Sequence, residues 1–251
     1  MTFPKTTKYK TTKYLNAATC GVLLLADAAL PAWAISSNRQ EEVFQGIARN
    51  EQGEIAYIEE HRVIYENGRP QRNETRYRDA SGKEIAVLTS NFATNPYVPN
   101  YAFEDRRFGR QDGTFVDGPW VKLYGRADQN APVQQDMVRL EADMVTGQGL
   151  HVYLRDHLDQ LAAGDAIKQV RFLVPLAGRD FVFRIRRLDT SEVGTVAFSI
   201  EAERWFLRLF APRLEVRYDR ASRRLLSYRG ASNLLNADQG VQNVTITYRY
   251  S

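Results

Sequence analysis

Apolar and polar residues alternate with period two along most of the chain beyond residue 34, the signature of half-buried strands. In "MVRLEADMV", Val138, Leu140, Ala142 and Met144 share one face, and Arg139, Glu141 and Asp143 share the other. The C-terminal "NVTITYRY" repeats the pattern: Val244, Ile246, Tyr248 and Tyr250 alternate with Thr245, Thr247 and Arg249. Short turns separate such runs. "QVRFLVP" and "FVFRIRRL" flank "LAGRD", "ETRYRDASGKEIAVL" turns at Asp79–Gly82, and "LEVRYDRASRRLLSY" turns at Asp219–Ser222. Antiparallel neighbours joined in this way need no crossover helix. The spacing of the runs predicts roughly eight to eleven strands.

One segment departs from period two. Leu150, Leu154, Leu158 and Leu161 recur at helical spacing between Gly149 and Gly164, which predicts a helix over 150–163 with one apolar face. A second run, "EAERWFLRLFAP" at 201–212, fits a helix or a strand and stops at Pro212. The expected fold is therefore mainly β, with one main helix. It is a single curved antiparallel sheet, or half-barrel, carrying helix 150–163 on its concave face.

Composition changes this picture at the N-terminus. The chain has 251 residues and a net charge of +4, with a pI near 9.1. Four lysines (Lys5, Lys8, Lys10 and Lys13) precede the apolar run "CGVLLLADAAL" and the small-residue site Ala32-Trp33-Ala34. That order predicts a secretory signal over 1–34 and an exported, periplasmic or extracellular domain over 35–251. Cleavage near Ala34 removes most of the excess positive charge, so the basic pI does not indicate nucleic acid. It also removes Cys20, the only cysteine, and with it disulfides, zinc–thiolate sites and cysteine nucleophiles. Residues 179–229 hold twelve arginines against seven acids. They read as a solvated sheet face, with contact to an anionic membrane surface as the alternative.

Candidate chemistry centres on "GLHVYLRDH". At about 100° per residue, His157 falls on the apolar face between Leu150 and Leu154, while His151 lies about 120° away, near solvent. A metal-binding pair on a helix needs i, i+4 or i, i+3 spacing, and six residues miss it. No metal and no cofactor is expected. There is no G-x-S-x-G, H-E-x-x-H, Walker or G-x-G-x-x-G motif. The neighbours Glu104 and Asp105 would point to opposite faces of a strand, ahead of a turn at Gln111-Asp112-Gly113. The rigid, aromatic "NPYVPNY" reads as a ligand rim. Candidate ligand-binding residues are His157, Tyr153, Leu154, Leu158, Tyr97 and Tyr101.

The stretches "LRDHLDQLAAGD", "VRFLVPLAGRDFVFRIRR", "LEVRYDRASRRLLSYRGASNLL" and "VTITYRY" resemble an uncharacterised family of exported bacterial proteins with a domain of unknown function. "YRDASGKEIA" and "YAFEDRRFGRQDG" extend the resemblance over most of the chain beyond residue 34. It implies no catalytic residues. The expected architecture is similar to that of periplasmic lipoprotein carriers, a fold-level analogy only. The expected function is non-enzymatic: an envelope protein binding a lipid or other apolar ligand. Its alternatives are a structural or interaction module with a filled core, or a hydrolase or isomerase using His157 with Asp105 or Asp156.

Overall fold

The structure, a computed structural model, describes residues 38–164, 167–204 and 213–251. The expected signal segment and most of the ambiguous 201–212 run lie outside the described residues. Alternation produces fifteen strands in one open sheet. The first eight are β1 (Arg39–Arg49), β2 (Ile55–Glu66), β3 (Arg69–Arg78), β4 (Glu84–Asn91), β5 (Asn100–Asp105), β6 (Arg110–Asp117), β7 (Trp120–Arg126) and β8 (Gln134–Arg139). After them come β9 (Met144–Val145), α1 (Gly149–Asp156), α2 (Leu158–Ala163), β10 (Lys168–Val174), β11 (Arg179–Leu188), β12 (Thr195–Ala202), β13 (Leu214–Asp219), β14 (Leu225–Leu235) and β15 (Val241–Tyr250).

Fifteen strands exceed the predicted eight to eleven because the β5–β8 quarter consists of short strands whose turns the pattern conceals. The turn expected at Gln111–Gly113 is an example. Those residues lie inside β6, and the chain reverses one turn earlier, between Asp105 and Arg110. The hairpin turns that begin at Asp79 and Asp219, and the one that closes at Gly178, fall where the sequence predicts them.

Strand order follows the chain except at the middle of the sheet, where β1 pairs with β15, Phe44 opposite Tyr250. Joining the two ends of the domain there sends β8 and β9 to opposite edges. The chain then has only residues 140–143 to pass between those edges, a reach of about 17 Å. The sheet must curl until its edges nearly meet. This corrects the reading of "MVRLEADMV" as one strand: it is the end of β8, the link, and the whole of β9.

The edges meet through side chains rather than a ladder. Val138 and Leu140 pack on Met144, Leu173, Val98, Val116, Val121 and Leu123. The tip of the β10–β11 hairpin reaches β7 and β8. Leu176 occupies the space where Gly125 lacks a Cβ, and Asp136 lies against Gly178.

Inside the curl, the helical leucines behave as their spacing predicts. Leu150, Leu154, Leu158 and Leu161 are buried together with Val170, Ile185, Phe198, Ile200 and Val216 from β10–β13. A second cluster, including Tyr57, Tyr77, Phe103 and Ile246, fills the space between β1–β5 and β14–β15.

The helix is not continuous over 150–163. His157 separates α1 from α2 with φ −104° and ψ 13°. Its ring Nδ1–H donates to the carbonyl of Tyr153 at 2.9 Å, the same oxygen that its own backbone N–H reaches at 3.1 Å. A side chain competing for a rung of the ladder is a recognised cause of a kink.

Candidate functional site

The two clusters do not meet everywhere. Between α1, β1–β3 and β13–β15 lies a cavity of about 220 Å³. Phe44, Val63, Phe92, Leu150, Val152, Leu154, Leu214, Val216 and Leu225 give it an apolar wall, and five tyrosines (65, 218, 228, 248 and 250) add ring faces.

Sheet register sets its depth. Across β1–β2, Glu42 faces Val63, Phe44 faces His61, and Gly46 faces Glu59. Each step of two residues advances about 7 Å. The mouth is at Glu42, Tyr65, Arg155, Arg223 and Arg224, and His61 lies deeper.

At the mouth, Arg155 donates to the Tyr65 hydroxyl at 2.8 Å, and Tyr65 donates to Glu42 at 3.3 Å. Arg224 donates to Glu42 at 2.9 Å and lies over the Tyr250 ring. Arg223 holds the Arg155 carbonyl and Asp159. Other arginines of the 179–229 stretch, including Arg184, Arg186, Arg213 and Arg217, also pair with carboxylates.

Deeper in, a hydrogen-bond chain crosses from helix to sheet. Gln148 Nε2 donates to Thr75 Oγ1 at 2.9 Å. Thr75 Oγ1 lies 3.0 Å from His61 Nδ1, and His61 Nε2 lies 3.0 Å from Glu59 Oε2. Tyr248 donates to the same Glu59 oxygen at 3.1 Å. With the His61 proton on Nε2, every bond in this chain has one donor and one acceptor.

Phe44 stacks on the His61 ring at 4.4 Å. Gly46 is required behind it, because a Cβ there would sit 2.7 Å from Tyr248 and 3.0 Å from Glu59. On the opposite wall, His151 Nδ1 lies 2.8 Å from the Tyr218 hydroxyl. Burial pushes the His151 imidazole down to about 3, and nearby Arg155 and His61 add to the effect. It is therefore neutral across the physiological range. Burial likewise raises Tyr218 and Tyr228.

Two residues that line the cavity also carry buried polar atoms without protein partners. Asn73 Oδ1 and Gln148 Oε1 are buried and bound to nothing, on two residues that line the cavity. An unsatisfied buried acceptor costs about 1–3 kcal/mol.

Of the six residues expected to bind ligand, Leu154 is on the cavity wall. Leu158 is wholly buried in the core between α2 and the sheet. Tyr153, His157 and Tyr97 cluster on another side of the helix, with Tyr153 and His157 stacked at 4.3 Å and Tyr97 edge-on to Tyr153. Tyr97 donates to Asp156 at 3.1 Å, and burial with that carboxylate raises its hydroxyl to about 12. Tyr101 is buried and donates to Asp112 at 2.9 Å.

The two helical histidines thus exchange places relative to the sequence reading. His151 faces the cavity, and His157 folds back on its own helix. Asp105, fully buried, is held by Arg107 at 2.6 Å, so neither Asp105 nor Asp156 forms a pair with His157.

The residues that sequence reasoning missed carry a readable signal. Glu59 and His61 on β2, and Asn73 and Thr75 on β3, occupy the buried phase of their strands, where polar side chains need a reason. Gln148, His151 and Arg155 recur at i, i+3 and i+7, a second stripe beside the leucines.

No family model matches this chain, and no curated protein matches it. Among solved structures it is similar to a beta-barrel-like protein of the domain of unknown function DUF1849 from Brucella abortus. That likeness covers 84% of this chain and 97% of the other, at 7% identity and a TM-score of 0.38. At that level it assigns neither a family nor a function.

Proposed function

We propose that this protein is a non-enzymatic binding protein of the cell envelope that holds a small apolar or amphipathic molecule, lipid-like in character, in the cavity beneath α1. The carrying observation is an unfilled, largely apolar space of about 220 Å³ between a helix and a sheet that pack closely elsewhere. Protein interiors rarely leave such voids. An apolar cavity of about 150 Å³ is enough for one benzene-sized molecule, and pockets for drug-sized ligands begin near 300 Å³. The occupant is therefore a single short chain or two to three rings. The predicted export signal supports the envelope location.

The reading is tested with 1-N-phenylnaphthylamine, whose fluorescence rises in apolar surroundings. Purified protein should show saturable enhancement. Val63→Phe, which places a ring in the cavity from β2, should abolish it, with the fold checked by thermal melting. Absence of enhancement in the unmodified protein, together with a ligand-free native mass after isolation from the periplasmic fraction, would overturn the proposal.

A further inference from the structure

We infer that the ligand is a single-chain anionic amphiphile, its oxyanion head held at the cavity mouth by the guanidinium of Arg155 and its apolar tail in the space beneath α1. This rests on the binding reading above and deepens it, by naming the charge of the occupant's polar end.

The charge balance at the mouth points to an anion. Arg155, Arg223 and Arg224 line it together with one carboxylate, Glu42, and a second carboxylate, Asp159, reaches Arg223 from α2. Arg224 pairs with Glu42 at 2.9 Å, and Arg223 with Asp159 at 2.6 Å. One positive charge is left over. Arg155, which is partly buried, forms no ion pair among the described residues, and its neighbour Asp156 turns instead to Tyr97 at 3.1 Å. Glu42 does not oppose an anion there, because its charge is already matched by Arg224.

The contacts of Arg155 leave its most selective side open. Nη1 donates to the Tyr65 hydroxyl at 2.8 Å, and the guanidinium lies 5.5 Å from the centroid of that ring. Nε and Nη2 donate to no described group, and neither is sealed from solvent as Asn73 Oδ1 and Gln148 Oε1 are. Those two nitrogens form the fork that takes an oxyanion through two parallel bonds. The same chain uses that fork elsewhere. Arg62 grips Glu41 through Nε and Nη2 at 2.8 and 3.0 Å, and Arg171 grips Asp180 in the same way at 2.8 and 3.0 Å.

Position along α1 supplies the tail's place. Arg155 lies one helical turn, about 5.4 Å, from His151, and both line the cavity. His151 is neutral, so the helix offers a charge at the mouth and none further in. A head at Arg155 leaves its chain to lie among Leu150, Leu154 and Val216.

The test is calorimetric titration of the full chain at pH 7.5 with octanoate, octyl phosphate, octan-1-ol and octylammonium, four probes with matched chains and different ends. The tighter of the two anions should bind about tenfold more tightly than octan-1-ol, the low end for one charge-assisted hydrogen bond, and it tells a carboxylate head from a phosphate. Octylammonium should bind more weakly than the alcohol. Arg155→Gln, checked by thermal melting, should bring the anions down to the level of octan-1-ol while leaving octan-1-ol unchanged. Octan-1-ol binding the unmodified protein as tightly as both anions overturns the inference and leaves the binding reading intact. So does an anion preference that survives Arg155→Gln. Failure of all four probes, together with 1-N-phenylnaphthylamine, overturns the binding reading itself.

Discussion

His151 and His61 show how little a residue's identity says before its surroundings are known. Both are histidines on amphipathic elements, yet His61 is tied to Glu59 and Thr75 within the sheet, and His151 joins the helix to Tyr218. His151 has the sharper consequence. Its folded value near 3 lies well below the unfolded reference near 6.5. The unfolded chain therefore takes up the proton first as pH falls, and folding stability declines from about pH 6.5 downward. Between pH 7.5 and pH 5 this group alone removes at most about 2 kcal/mol, given its partial exposure. Urea unfolding at the two pH values should show wild type losing up to that much more than His151→Leu. Equal losses would mean that the ring is solvated in the folded protein.

At the scale of elements, α1 is positioned by a contact its own sequence barely advertises. Gly149 opens the helix directly against the segment before β5, where a Cβ would stand 2.0 Å from the Tyr97 carbonyl oxygen. Gly149→Val should therefore push the helix N-terminus off that segment and disturb Gln148 and Leu150 on either side. A fall of several degrees in melting temperature, with loss of 1-N-phenylnaphthylamine uptake, is the expected outcome. The leucine spacing made this helix legible, and the burial of all four leucines follows it. The kink was not legible, because Pro or Gly ordinarily marks one and here a histidine side chain reaches back to Tyr153. That reach carries His157 away from the apolar face on which a straight helical wheel places it.

At the largest scale, the link over residues 140–143 determines how far the fifteen-stranded sheet curls. A meander whose ends zip together in mid-sheet, and whose edges are joined by so short a passage, must roll up around its helix. The seam it forms is packed by Leu173, which is wholly buried among Met144, Val121 and Leu123. Leu173→Ala should cost about 2–5 kcal/mol in chemical denaturation. A cost below about 1 kcal/mol would show that the edges separate freely in solution.

Many strand positions, most hairpin turns, the apolar helix face and the broad β class were present in the sequence by itself, because each depends on neighbours two to four residues apart. Which strand meets β1, how tightly the sheet curls, and where the helix leaves a space depend on residues far apart in the chain. Phe44 meets Tyr250, Tyr57 meets Ser232, and Gln148 meets Thr75 only after folding. The tertiary structure alone decided that His151 rather than His157 faces the cavity. Period and propensity act locally, whereas a cavity is defined by what distant elements fail to fill.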